Sequence, residues 1–196
     1  MGRPKGYDRE SVARKAMDLF WRRGYHATST KELADHMGVN PYSLFAEFES
    51  KQGLYEAALE LYDLEVVGRH FRALEAPEAG IRELVAVVEF FAGASGSGAE
   101  KGCFLTNAAV ERGPEDNASR KQVHAYVARI QRAIQGALEN AKNRGEIRPE
   151  VSCEDQSHML AATLIGFWVM KRARLPREMT VNAARAICRD LERLRP

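Results

Sequence analysis

The stretch STKELADHMGVNPYSLFAEF, residues 29–48, holds two short amphipathic segments on either side of a glycine turn. Ser29 followed three residues later by Glu32 has the form of a capping box and opens the first segment, which carries Leu33, Ala34 and Met37 on one side. Gly38 stops it, because a tight turn between crossed helices favours a residue without a Cβ. Pro41 suits the first turn of the next helix, whose apolar side is Leu44, Phe45 and Phe48. The layout is helix, turn, helix. Leu33 and Ala34 can brace Val39, Leu44 and Phe48, leaving the second helix free to lie in a DNA major groove, which admits one helix.

Outward from this stretch, the charge is uneven. The 196 residues carry 29 Lys plus Arg against 27 Asp plus Glu, a net of +2, yet residues 1–31 hold eight basic and three acidic side chains, a local +5. The other 165 residues are therefore at −3. A basic N-terminal segment beside a helix-turn-helix points to a polyanionic partner. Asp8 is placed to cap a first helix that carries Val12, Ala16, Leu19 and Phe20 and ends at Gly24.

The rest of the chain reads as all-α, because 3.6-residue periodicity recurs between sparse Gly and Pro breaks and strict alternation is nearly absent. A helix from Ser50 or Lys51 reaches about Leu74, and others run over Ile81–Ala94, Cys103–Glu111, Ala118–Arg144, Glu154–Arg174 and Thr180–Leu194. This gives about nine helices, with a boundary near residue 50 between an N-terminal helix-turn-helix domain (1–50) and a C-terminal helical domain (51–196). Gly93, Gly96, Gly98 and Gly102 mark a flexible connection rather than a phosphate loop, since no strand precedes them. Three widely spaced cysteines and the lack of a signal-like segment fit a reducing cytoplasm. His26, His36, His70, His124 and His158 are scattered, so no metal site or other cofactor is expected, and no nucleophilic triad can be assigned.

From Gly2 to about Tyr62 the sequence resembles the TetR family of transcriptional regulators. The resemblance rests on the GRPK arm, FWRRGYHATS, and KELADHMGVNPYSLFAEFESKQGLYEAAL, with Phe20, Gly24, Thr28, Ala34, Gly38, Val39, Leu44, Phe48, Lys51 and Leu54 in the family order. Lys101-Gly102-Cys103 looks like a branch with a Gly-Cys step at the start of the sixth helix. The resemblance implies that Ser29 and Thr30 contact phosphate, that Lys31 reaches phosphate or a base edge, and that Asn40, Pro41, Tyr42 and Ser43 form the reading end of the recognition helix. Lys51 matches the family's phosphate-gripping lysine, and Arg3 and Lys5 would follow phosphates or enter the minor groove. Phe45 stands where the family usually has a phosphate-bonding tyrosine, keeping the ring without the hydroxyl. Glu47 is either an acceptor for cytosine or a solvated surface charge.

A regulator of this kind implies a homodimer on a double-stranded, palindromic operator, because its recognition helices must meet successive major grooves. Leu160, Leu164, Phe167 and Trp168, with Ile187, Leu191 and Leu194, are the expected interface. The resemblance also implies a small-molecule effector pocket, expected among Phe71, Phe90, Phe91, Cys103, Phe104, Asn107, Tyr126, Ile130 and Trp168. The function implied is a transcriptional regulator, by default a repressor, and not an enzyme. Two alternatives stand beside it: a thiol-based sensor in which Lys101 activates Cys103, and a small apolar ligand-binding protein or enzyme.

Overall fold

The computed structural model describes residues 8–93 and 99–196; Arg3 and Lys5 and most of the glycine-rich connection lie outside them. Nine α-helices order the described residues: α1 (Arg9–Arg23), α2 (Thr30–Met37), α3 (Pro41–Phe48), α4 (Lys51–Tyr62), α5 (Ile81–Gly93), α6 (Phe104–Glu111), α7 (Asn117–Asn143), α8 (Cys153–Arg172) and α9 (Arg177–Glu192). No strand occurs among them.

The punctuation acts as its chemistry dictates. Asp8 accepts from the Ser11 amide at 2.8 Å and caps α1. Ser29 and Glu32 form the reciprocal capping box of α2, with bonds of 3.1 and 2.8 Å. Gly38 closes α2 at φ +68°, a left-handed conformation that costs a residue with a Cβ about 1–2 kcal/mol. Pro41 occupies the first turn of α3, behind the Asn40 cap.

Helices α1 to α3 share one core. Val12, Ala16, Phe20, Leu33, Ala34, Leu44 and Phe48 are all buried there. The first half of α4 completes it with Leu54, Tyr55, Ala58 and Leu59, so α4 is part of this body before it enters the next. Glu47 is not a solvated charge: it pairs with Arg9 at 3.4 Å and is only 14% exposed. The pair ties α3 to the start of α1.

Periodicity did not reveal a change of winding in α4. Beyond Tyr62 the rod continues as a π turn, Asp63–Val67, and then one α turn, Gly68–Phe71. Such turns recur at functional sites. This one is held from two sides, by an ion pair from Arg14 of α1 to Glu65 and by Arg129 of α7, which reaches Asp63 at 3.4 Å and Glu75 at 2.6 Å.

The helical hairpin α8–α9 corrects the expected interface. Leu160, Leu164, Phe167 and Leu191 are 1–2% exposed, buried in the core of the chain that carries them, while Trp168 and Ile187 are partly buried against it. From Met159 to Met170 helix α8 is apolar around almost all of its circumference, and such a helix buries one stripe and leaves another outside. The outer stripe is Met159, Ala162, Gly166 and Val169, with Met159 and Val169 almost half exposed. Met179 of α9 is 50% exposed.

Candidate nucleic-acid interface and cavity

One end of the N-terminal body presents polar groups on two helix starts. Ser29, Thr30 and Lys31 at the head of α2 and Asn40, Pro41, Tyr42 and Ser43 at the head of α3 are all exposed, Tyr42 to 89%. Asn40 Oδ1 accepts from the Tyr42 amide at 2.9 Å, which fixes the turn while the phenol projects outward. Helix N-termini concentrate amide donors and positive potential, the arrangement that attracts phosphate.

Two of the expected contact residues sit differently. Phe45 is partly buried and packs against the core, so part of its ring braces α3 from below. Lys51 lies with Nζ 4.2 Å from the centre of the Tyr25 ring, and Arg112 sits 4.1 Å from the same ring. Burial pushes the Lys51 ammonium below the ordinary lysine range.

The second feature is a cavity of about 210 Å³ lined by Trp21, Tyr62, Val66, Val67, His70, Phe71, Phe90, Phe91, Gly102, Tyr126 and Trp168. The rings interlock: Phe91 meets Trp168 at 4.7 Å and Phe71 at 5.3 Å, and His70 lies against Phe90 at 4.7 Å. Burial lowers the His70 pKa and raises those of Tyr62 and Tyr126 well above the usual tyrosine value, so all three are held neutral near pH 7. Five of the expected pocket residues, Phe71, Phe90, Phe91, Tyr126 and Trp168, do line the cavity.

Cys103, Phe104, Asn107 and Ile130 stand behind its wall. Ile130 and Phe104 are plain core, 1% exposed. Asn107 donates to the Lys101 carbonyl at 2.9 Å and so pins the turn before α6. Cys103 is 1% exposed, caps α6 by accepting from the Thr106 amide, and donates to the Tyr126 hydroxyl at 3.2 Å. Lys101 does not activate it: its Nζ is bound to Asp18 at 2.7 Å and rests over Trp21 at 4.9 Å. A thiol so enclosed is a structural group, and the sensor alternative is set aside.

Trp21, Tyr62, Val66, Val67, His70 and Gly102 were not foreseen as lining residues. Trp21 carried a signal, since α1 has more large apolar residues than a single stripe requires; Val66, Val67 and His70 depend on the π turn. Trp21 belongs to α1, yet its Nε1 donates to the Gly102 carbonyl at 3.1 Å, joining the first helix to the cavity wall. Helix α6 starts at that wall and ends on the other body. Glu111, its last residue, accepts from the backbone amides of Tyr25 and His26 at 3.0 and 2.8 Å.

An exposed helix-turn-helix packed on a first helix that touches a cavity in an attached helical body is the architecture of a DNA-binding transcriptional regulator. Two family models match, the bacterial regulatory proteins of the tetR family over residues 12–58 and the tetracyclin repressor-like C-terminal domain over residues 80–187. The chain is 30% identical to the transcriptional repressor ComR of Escherichia coli (strain K12) over 175 residues, 87% of this chain and 82% of that protein. Among solved structures it is similar to a cysteine variant of the TetR family regulator CifR in complex with 26-bp operator DNA, with a TM-score of 0.84 and 26% identity over 95% of this chain and 98% of that one. The fold is also that of reduced E. coli NemR, with a TM-score of 0.76 and 19% identity over 96% and 97% of the two chains. This chain belongs to the tetR family of bacterial regulatory proteins.

Proposed function

We propose that the chain is a cytoplasmic, homodimeric repressor that leaves a palindromic operator when a small molecule fills the cavity. The observation that carries this reading is Trp21, a residue of the first helix of the DNA-binding body that also walls the cavity. A ligand there touches both working parts of the molecule. Residues 1–50, with the first half of α4 completing their core, act as the reading domain and the remainder of residues 51–196 as the effector and dimerisation domain, coupled by three links: the α4 rod, the Trp21–Gly102 bond and the Glu111 clamp on Tyr25 and His26.

At the operator, Ser29, Thr30, Lys31, Asn40, Pro41, Tyr42 and Ser43 form the contact set, with Arg3 and Lys5 on adjacent phosphates. Lys51 joins them when it swings off Tyr25. Dimerisation uses the outer stripe of α8, Met159, Ala162, Gly166 and Val169, with Met179 of α9; at Gly166 no atom stands within 4 Å of where a Cβ would be, so another helix backbone can approach closely. Ligand affinities that differ between bound and released states by about 1–3 kcal/mol are enough to change operator occupancy 5- to 150-fold.

Selection of bound genomic fragments tests the reading directly. A short inverted repeat should be enriched, and its affinity should fall on substituting Tyr42 and Lys31. No sequence preference would sink it, as would a monomer by sedimentation at micromolar concentration, since two half-sites need two reading heads.

A further inference from the structure

The cavity's walls define a ligand class, and this inference rests on the effector reading above. None of its lining residues is Asp, Glu, Lys or Arg, and seven are Trp, Tyr or Phe. Its titratable lining groups, His70, Tyr62 and Tyr126, are held neutral by burial. An ion entering such a site would lose its hydration with no charged lining side chain to replace it, and the nearest ammonium groups are engaged elsewhere, Lys101 by Asp18 and Lys171 by the Phe91 carbonyl.

An aromatic cage also suits organic cations, but both indole faces are already committed. Lys101 Nζ stands 4.9 Å from the Trp21 ring and Lys171 Nζ 5.3 Å from the Trp168 ring. A second positive charge would meet two ammonium groups. One polar atom remains unanswered: Trp168 Nε1 is buried and has no hydrogen-bond partner among the described residues, whereas Trp21 Nε1 is taken by Gly102. An unpaired buried donor costs free energy that an acceptor on a ligand recovers. A cavity of ~150 Å³ accommodates benzene, so about 210 Å³ suits one substituted ring or a compact bicycle.

We infer that the cavity binds an uncharged, planar aromatic molecule bearing a hydrogen-bond acceptor, with the Trp168 indole turning on binding so that its enclosed Nε1 donates to that acceptor and the surrounding rings stacking on the ligand's faces and edges. Five probes of similar size separate the requirements: acetophenone, ethylbenzene without an acceptor, cyclohexyl methyl ketone without a flat ring, benzoate as an anion, and phenyltrimethylammonium as a cation. Their dissociation constants for the intact protein are measured by calorimetry. Fluorescence locates the site, because the chain's two tryptophans, Trp21 and Trp168, both line it.

Acetophenone should bind about five- to tenfold more tightly than ethylbenzene, the scale of one hydrogen bond to an otherwise unpaired donor, and shift the tryptophan emission. In Trp168→Phe that advantage should vanish while ethylbenzene binding persists. Tighter binding of either ion or of the cyclohexyl ketone, or no binding by any probe up to its solubility, overturns the assignment. If the Trp168→Phe protein does not fold, the five-probe order on the intact chain still decides. Operator affinity measured in the same samples separates the two levels: acetophenone bound without loss of DNA supports the ligand class and removes the effector reading. DNA release by a compound that leaves both tryptophans unperturbed overturns the ligand class and keeps the regulator.

Discussion

Helices α2 and α6 are both eight residues long and each adjoins a glycine at φ +68°, Gly38 after α2 and Gly102 before the cap of α6. Their N-termini are finished differently. At α2 the cap is a hydroxyl in a reciprocal box with a carboxylate, and the first turn is open to solvent. At α6 the cap is the Cys103 sulfur, which accepts from the Thr106 amide at 3.5 Å, and Phe104, Leu105, Thr106 and Ala108 are all buried. Sulfur is a weak acceptor but also a small hydrophobe, so it serves where the helix start is enclosed. The oxygen cap keeps a docking end soluble and ordered. One local device thus supports an external contact in one place and an internal link in the other.

The two glycines give the sharpest way to break this comparison. A Cβ on Gly102 would stand 3.0 Å from the Trp168 carbonyl oxygen and 3.2 Å from Arg172 Cβ, whereas one on Gly38 would meet nothing within 4 Å. Gly102→Ala should therefore combine left-handed strain with overpacking and cost about 2–4 kcal/mol. Gly38→Ala should cost about 1–2 kcal/mol, from strain alone. Urea unfolding midpoints of the two variants measure the difference; equal losses would show that the α6 start is not tightly packed.

The next effect is on DNA and leaves stability alone. Tyr42 is 89% exposed, so Tyr42→Ala should change the unfolding midpoint little while weakening operator binding by about 1–3 kcal/mol, if the phenol reads a base. Lys31→Ala should instead weaken all sequences alike and lower the salt slope by about one. Fluorescence anisotropy at several salt concentrations distinguishes the two.

The exposed end was legible in the sequence because its signals are local. Ser29, Glu32, Gly38, Asn40 and Pro41 each act within a few residues, and their spacing is sufficient to place both helix starts. The cavity was only half legible. Phe71, Phe90 and Phe91 stand out as large apolar residues, but the part played by Val66, Val67 and His70 follows from the π turn, which no period announces. Trp21 reaches the wall through the packing of α1 on α4, over a separation of 81 residues from its partner Gly102. The α8 stripe failed for a related reason: with apolar residues on all sides, sequence alone does not say which side turns inward.

The far end of α6 offers a smaller perturbation. Glu111→Gln keeps the shape of the carboxylate but weakens its hold on the Tyr25 and His26 amides, and should cost about 1 kcal/mol or less in stability. Its larger consequence should be on coupling: ligand binding to the cavity persists while ligand-induced loss of DNA diminishes. Parallel titrations of ligand and operator measure this, and an unchanged response would leave the coupling to α4 and the Trp21–Gly102 bond.

The smallest expected effect is a pH dependence confined to the cavity. His26 and His36, in the reading body, are exposed, whereas His70 packs on Phe90 and Phe91, and burial, with Arg69 beside it, lowers its pKa below the ordinary value of about 6.5. Folding therefore favours the neutral ring. Between the lowered folded value and about 6.5 the unfolded chain binds more protons than the folded one, so stability falls as the pH drops through that window and is recovered above it. Cavity ligands should weaken over the same range, because an imidazolium inside an apolar wall draws water. His70→Phe removes the titrating group without opening a gap, and its unfolding midpoint should be flatter between about pH 7.5 and 5.5 than that of the unaltered chain. If both slopes are the same, the imidazole is solvated in the folded protein, and the neutrality assigned to that wall of the cavity fails with it.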